Sequence, residues 1–184
     1  MIPFRLGLTA LAIPVALAGQ TPPTAAARGT PPARLVVTYR GFTPGRSYRE
    51  FAERARALAQ RDTLRCKTSR RTAQLMECGV MIRDPKDSAR FYLSAYVLEG
   101  KVAMVSLTDS GGPRLVEWAR SDLGTRLGPA QRRERSMLEW ANGRRVVRLN
   151  WRGRGDARWI SITLRDDDVM DRIAGYVPRK PAPK

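Results

Sequence analysis

The chain contains two cysteines, and the pattern around them restricts the fold more than any other feature of the sequence. If Cys66 and Cys78 face each other in an antiparallel hairpin, Lys67 lies opposite Glu77, and such opposed charges stabilise strand pairing modestly. The same register puts these side chains on one face with the cysteines: Leu64, Thr68, Met76, Val80 and Ile82. Because alternation of this kind fixes strand register, the sequence predicts a disulfide-linked hairpin over residues 63–82.

This disulfide would close a short loop, which stabilises the fold by about 3 kcal/mol in the chain-entropy model. The alternative is a pair of free, buried thiols. A metal site is not expected, because two cysteines without any histidine cannot supply the usual four ligands. No cofactor is expected either.

The N-terminal segment has the layout of a secretory signal peptide. Arg5 precedes an apolar run of 13 residues, 6–18, which ends in Ala-Leu-Ala and is too short to span a bilayer comfortably. Cleavage is expected after Ala18 or Ala27, and a retained N-terminal anchor is the alternative. Gln20 stands where a lipoprotein box requires the lipidated cysteine. We therefore expect a periplasmic or secreted protein without a lipid anchor.

Composition divides the chain into four parts. The signal peptide, 1–18, is followed by a Pro/Ala/Thr-rich segment, 19–34, whose composition is typical of a flexible linker. Residues 35–177 are predicted to form a single domain, as their number favours. Residues 178–184 are predicted to be a disordered basic tail.

The first half of the domain is predicted to contain one helix and five strands. A strand over 35–40 precedes a helix over 47–60, which Ser47 and Glu50 begin with a capping box. After the cysteine hairpin, residues 90–109 form two strands that turn at Glu99 and Gly100.

The second half begins with a helix whose first turn contains Pro113 and whose cap is Asp109 or Ser110. Gly128 and Pro129 end that helix, which is followed by three strands. Asn142-Gly143 is the predicted turn between strands 136–141 and 144–152, with Leu138 opposite Val147 and Trp140 opposite Arg145. Asp168 caps a short final helix.

The stretch WRGRGDARW, residues 151–159, is predicted to be a hairpin. Gly155-Asp156 suits a two-residue turn. Trp151 then lies opposite Ile160, and the flanking apolar pairs, Leu149 with Ile162 and Val147 with Leu164, share its face. The turn accounts for Gly155 and Asp156 of the Arg-Gly-Asp triplet, so no adhesion function is needed to explain it.

These elements predict an α+β fold with a mostly antiparallel sheet of about seven to eight strands. Two main helices pack on one face, and a short helix lies at the C-terminus. The order is similar to that of exported bacterial binding modules of the β-lactamase-inhibitor type, which also repeat helix-plus-sheet units. The resemblance is one of architecture only, rests on no specific motif and identifies no binding residues.

The candidate binding residues lie on the sheet face opposite the apolar face that carries Trp151: Arg148, Arg152, Arg154 and Trp159. Arg152 is predicted to lie across from Trp159, where a guanidinium could stack on the indole. The pair could also stack a base or a sugar. The alternative is an amphipathic sheet face on which arginine stems shield a tryptophan.

The formal net charge of +17 favours partners that are polyanions. The alternative is that the charge reflects a GC-rich genome, in which basic positions are encoded mainly as arginine. With no histidine, no nucleophile elbow and no phosphate loop, the chain lacks the common catalytic motifs. Two acidic groups are assigned structural roles: Asp84 with Asp87 at a turn, and Asp166, Asp167, Asp168 with Asp171 at a helix N-terminus.

We therefore expect an exported, non-catalytic binding or interaction module. Its expected partner is a protein or an anionic envelope polymer, bound by the basic sheet face. The alternatives are a nucleic-acid-binding protein, which export disfavours, and a hydrolase that uses carboxylates.

Overall fold

The computed structural model describes residues 37–69 and 75–174. These ranges contain three helices: α1 Tyr48–Leu58, α2 Pro113–Leu127 and α3 Asp167–Ala174. They also contain eight strands: β1 Arg65–Thr68, β2 Leu75–Arg83, β3 Arg90–Leu98, β4 Lys101–Gly111, β5 Arg132–Glu134, β6 Met137–Asn142, β7 Arg145–Arg154 and β8 Ala157–Asp166. The predicted signal peptide, linker, tail and hairpin loop near 71–73 lie outside the described residues.

All eight strands belong to one antiparallel sheet in the order β1-β2-β3-β4-β8-β7-β6-β5. Each half of the sheet is a meander of four strands preceded by a helix, and the last strands of the two halves, β4 and β8, pair at the centre. The α+β class with two main helices and a short C-terminal helix is therefore confirmed. No helix within the described ranges is both long and apolar enough to cross a membrane.

Helices α1 and α2 supply apolar stripes to the main core, which covers one face of the sheet. The buried helix residues are Phe51, Ala52, Ala55 and Leu58 of α1, and Val116, Ala119 and Leu123 of α2. The sheet contributes alternate residues, among them Leu93, Leu107, Leu149, Ile160, Ile162 and Leu164, all fully buried. Burying a side chain of this size stabilises the fold by about 1.5–3 kcal/mol, so this face is fixed by packing.

Helix α3 packs on the opposite side, at one end of the sheet. Val169 forms a second, smaller cluster with Leu98 and Ala103, and Tyr96 packs against it. Residues 96 and 98 alternate along β3 with Ala95 and Val97, which belong to the main core. Since successive side chains of a strand point to opposite faces, α3 covers one end of the face that α1 and α2 leave open.

The cysteine hairpin has the predicted register. Cys66 pairs with Cys78, Lys67 with Glu77 and Thr68 with Met76. The two cysteines form a disulfide with their Cα atoms 4.1 Å apart. A disulfide is compatible with an extracellular protein.

The 151–159 hairpin is also confirmed. Trp151 pairs with Ile160, Arg152 with Trp159 and Arg154 with Ala157, which leaves Gly155-Asp156 as the turn. Gly155 has φ +54°, a conformation that glycine adopts without steric cost. The predicted turn at Glu99-Gly100 is present, and both residues have positive φ.

The predicted strand over 35–40 is wrong for its described part, residues 37–40. Tyr39 and Phe42 form an isolated bridge around a tight turn, in which Arg40 has φ +51° and Gly41 φ +82°. Tyr39 and Phe42 are almost completely buried in the main core. The apolar residues of this segment therefore could not distinguish a strand from a turn packed against the core.

The predicted register between β6 and β7 is wrong. Asn142 pairs with Arg145 and Leu138 with Leu149, so the turn residues are Gly143 and Arg144. Gly143 has φ +60°, as the first central residue of a type II′ turn requires. The shift keeps the same side chains in the core, so the apolar pattern cannot detect it. The short edge strand β5 was not predicted.

Two predicted helix caps are also wrong. Gly112 precedes α2 without a side-chain cap, because Asp109 and Ser110 remain in β4. Asp166, rather than Asp168, caps α3: its Oδ1 accepts hydrogen bonds from the N–H groups of Asp168 and Val169 at 3.1 and 3.3 Å. The capping box of Ser47 and Glu50 is confirmed.

Candidate binding face of the sheet

The candidate site lies on the sheet face opposite α1 and α2, which we call the open face. Strand alternation and register place the following residues on it: Gly79, Tyr92, Ser94, Tyr96, Ser106, Thr108, Glu139, Arg148, Asn150, Arg152, Arg154, Trp159, Ser161 and Thr163. All four predicted site residues are among them. Whether they bind anything stays a prediction.

Arg152 and Trp159 form the stacked pair that the sequence suggested. The Arg152 guanidinium carbon lies 4.5 Å from the centroid of the Trp159 ring. Arg152 and Arg154 are both exposed. Within the described ranges, no carboxylate oxygen comes within 4 Å of a guanidinium nitrogen of either arginine. Their charges are therefore uncompensated by an ion pair there.

Arg148 differs from those two arginines because its charge is already paired. Its Nε donates to Glu139 Oε2 at 2.7 Å, and its side chain is about one-third exposed, at 32%. A guanidinium held by a neighbouring carboxylate attracts a further anion less strongly. Arg148 therefore shares the face with Arg152 but is electrostatically weaker as a binding group.

Hydroxyl groups occupy the centre of the open face. Ser106 Oγ lies 3.0 Å from Ser161 Oγ, and Thr163 Oγ1 lies 3.3 Å from the latter atom. Ser106 and Ser161 are buried and satisfy each other, whereas Thr163 is partly exposed and keeps hydrogen-bonding capacity toward solvent. These side chains are small, so they project only a short distance from the sheet.

A cavity of about 520 Å³ opens toward the β1 edge of the face. Its lining includes Gly79, Tyr92, Ser94 and Tyr96, and two cations of β1, Arg65 and Lys67. The sequence analysis missed this cavity. The available signal was a glycine inside a strand, which often marks a close approach by another group.

The paired carboxylates Asp84 and Asp87 belong to an ion cluster around the buried Arg40, on the side of the sheet that α2 covers. The Arg40 side chain, only 1% exposed, contacts Asp84 at 2.6 Å and Asp87 at 2.7 Å. Asp122 Oδ2 lies 3.8 Å from the same guanidinium and accepts a 2.7 Å hydrogen bond from the Tyr39 hydroxyl.

Aromatic rings complete the cage around Arg40. Its guanidinium carbon lies 5.1–5.3 Å from the ring centroids of Tyr39, Phe91 and Trp118. Burial raises the pKa of Tyr39, whereas the hydrogen bond from Arg40 lowers the pKa of Asp87. Asp84 and Asp87 also accept backbone hydrogen bonds from Lys86 and Ala89, as expected at a turn.

The C-terminal acidic cluster is bound by two arginines, Arg144 in the β6–β7 turn and Arg145 at the start of β7. Arg144 contacts Asp168 at 3.0 Å and also binds Asp171. Arg145 contacts Asp166 at 3.2 Å. In the part of the chain that the structure describes, no group of three or more acidic or cysteine side chains is placed to hold a metal ion.

Comparison with models of protein families, with curated proteins and with solved structures finds no match, so the site is interpreted from its own geometry.

Proposed function

We propose that this protein is an exported, non-catalytic binding module that holds an anionic polymer on the open face of its sheet. This proposal rests on two exposed cations, one of them stacked on an aromatic ring, that have no ion-pair partner among the residues that the structure describes. Arg152 stacks on Trp159, and Arg154 follows on the same face.

Charge supports an anionic partner. The chain has 34 cationic and 17 acidic residues, and a protein with such an excess attracts polyanions over long distances. At short range, a guanidinium binds carboxylate or phosphate through two parallel hydrogen bonds. Because the Trp159 ring supports one face of Arg152, the cation is held in place before a ligand arrives, which lowers the entropy cost of binding.

The carboxylates identified in the sequence support binding over hydrolysis. A carboxylate hydrolase needs two carboxyl groups that flank a substrate bond. In this structure Asp84 and Asp87 are tied to Arg40, and Asp166, Asp168 and Asp171 are tied to Arg144 or Arg145. Each group is engaged in holding elements of the fold together.

Export is proposed from the signal-peptide pattern of residues 1–18. The disulfide between Cys66 and Cys78 agrees with it, since disulfides persist in oxidising compartments. The proposed location is periplasmic or secreted.

The test is the salt dependence of polymer binding by the protein purified after export. Polygalacturonate serves as the anionic probe and dextran as its uncharged counterpart. We expect polygalacturonate binding to weaken at least about tenfold between about 50 and 500 mM salt, since charge contacts are screened. Dextran should not bind measurably.

Binding that is independent of salt, or equal for dextran and polygalacturonate, would contradict the proposal. Single-stranded DNA provides a third arm. Tighter binding to DNA than to polygalacturonate at the same salt concentration would favour the nucleic-acid alternative instead.

A further inference from the structure

The cavity at the β1 edge of the open face has one wall of aromatic surface. Tyr92 is 48% exposed, which is unusual for so large a side chain on a sheet. Its hydroxyl lies over Gly79, where a Cβ atom would overlap it. The absence of a side chain at Gly79 thus allows the phenol to lie along the sheet and to border the cavity. Tyr96, on the same strand, is held by packing against the α3 cluster.

Polar groups complete the cavity. Ser94 pairs with Gly79 between the two tyrosines and supplies a hydroxyl to the lining. Arg65 and Lys67 project to the same face by register. Lys67 Nζ is 3.8 Å from Glu77 Oε2, and such a surface pair is weak. The cavity therefore combines an aromatic ring, a hydroxyl, two exposed cations and the carboxylates of Asp62 and Glu77.

The rim of the cavity is fixed by a carboxylate ahead of β1. Asp62 accepts hydrogen bonds from the N–H groups of Thr63 at 2.8 Å and of Met81 at 2.6 Å. These hydrogen bonds lower the pKa of Asp62 and attach the chain before β1 to strand β2. Asp62 therefore shapes the site.

We propose that this cavity binds an acidic sugar unit, whose ring stacks on Tyr92 while its hydroxyls meet Ser94 and its carboxylate meets Arg65 or Lys67. This inference rests on the proposed function and names its ligand class: the anionic polymer is an acidic polysaccharide. Aromatic side chains suit such a ligand because they offer an apolar face to the C–H groups of a ring and a polar edge to its hydroxyls. A volume of about 520 Å³ lies in the range of small-ligand sites.

The spacing of the open face suits a short sugar chain that reaches from the cavity to Arg152. Between the cavity and Arg152 lies the cluster of three hydroxyls, in which Ser106 and Ser161 are buried and Thr163 is partly exposed, so a sugar chain could meet the Thr163 hydroxyl. Strands β3 and β7 are three strand spacings apart in the sheet, about 14 Å, so a short oligosaccharide could reach both ends.

The test compares three polymers: polygalacturonate, polyglutamate, which carries carboxylates without sugar rings, and single-stranded DNA. Binding is measured by calorimetry for the wild type and for Tyr92→Ala, Tyr92→Phe and Met81→Ala. Met81 is the matched control, because it pairs with Tyr92 and is 47% exposed but does not line the cavity.

We expect Tyr92→Ala to weaken polygalacturonate binding about tenfold, the size of a lost stacking contact. Tyr92→Phe and Met81→Ala should each change it less than about twofold, and polyglutamate binding should respond to none of the three. If Tyr92→Ala lowers the melting temperature, Ser94→Val provides the same test by removing the hydroxyl from the cavity, and weaker binding to polygalacturonate alone is expected.

Unchanged polygalacturonate binding in Tyr92→Ala and Ser94→Val would overturn the sugar site. The proposed function would still stand if binding stayed salt-dependent. Equal weakening of polygalacturonate and polyglutamate binding would also overturn the sugar site, because the loss would then not depend on the presence of sugar rings. A loss confined to DNA would assign the cavity to base stacking. Absence of salt-dependent binding to any of the three polymers would instead contradict the proposed function.

Discussion

Arg40 and Arg152 both lie over aromatic rings, and their surroundings are otherwise opposite. Arg40 lies among three rings and three carboxylates, with a side chain that is 1% exposed. Arg152 lies over a single ring, is exposed, and has no carboxylate partner in the described part of the chain. Arg40 holds parts of the fold together, whereas Arg152 presents its charge to solvent.

This difference teaches how to interpret a formal charge of +17. A buried arginine whose charge is neutralised contributes to stability and adds little to the field outside. An exposed arginine without a partner contributes little to stability and remains available to an anion. The excess of arginine is therefore a guide to binding only where ion pairs inside the protein leave a charge free.

The largest expected effect is a difference in the free energy of unfolding between variants of Arg40 and of Arg152. Arg40→Met leaves Asp84, Asp87 and Asp122 without their shared cation, and removing one partner of a buried pair costs about 3–5 kcal/mol. Arg152→Met should change the free energy of unfolding by less than about 0.5 kcal/mol. Urea denaturation of both variants measures the difference. Equal stability of the two variants would show that the cage around Arg40 is not what holds these elements.

The second expected effect is on pH dependence. The folded pKa of Asp87 is lowered below its ordinary value of 3.8, first by the hydrogen bond from Arg40. The stabilisation is therefore complete above the unfolded pKa and is lost as the pH falls through the folded one. In urea denaturation between about pH 5 and 2, Asp87→Asn should lose less stability on acidification than the wild type does. Parallel curves would contradict the role of Asp87.

The Arg40 cage could not be predicted from the sequence, because its members are distant in the chain. Arg40 is 44 residues from Asp84 and 47 from Asp87, and Tyr39 is 83 residues from Asp122. The Arg152–Trp159 pair was predictable because a short turn fixed its register. The two arginines differ in predictability because the contacts of Arg40 join residues that are distant in the sequence, whereas the contact of Arg152 joins residues that are close in it.

The two hairpins of the second half show what a pattern can determine. For β7 and β8, the apolar residues and the Gly155-Asp156 turn agreed on one register, which is confirmed. For β6 and β7, two registers place the same apolar side chains in the core, so only the turn could distinguish them. Gly143-Arg144 forms that turn. The cavity beside Tyr92 also depends on side-chain placement, which no periodicity shows.

The third and smallest expected effect converts a paired arginine into a free one. Glu139→Gln removes the carboxylate that holds Arg148 on the open face, so binding of polygalacturonate should strengthen about two- to fivefold at low salt. The matched control is Glu53→Gln, which releases Arg49 on α1, away from the open face. Equal strengthening in the two variants would show that net charge, and not its position, controls binding.

The central claim is that Arg152, stacked on Trp159, and Arg154 hold the anionic polymer. Its most direct test is the slope of the logarithm of the polygalacturonate binding constant against the logarithm of the salt concentration. The slope is measured for two double variants, Arg152→Ala/Arg154→Ala and Arg56→Ala/Arg114→Ala. The second pair removes the same charge from exposed positions on α1 and α2. We predict that the first variant makes the slope shallower by about one for each arginine removed, with the second close to wild type. Identical slopes in both variants would contradict the claim.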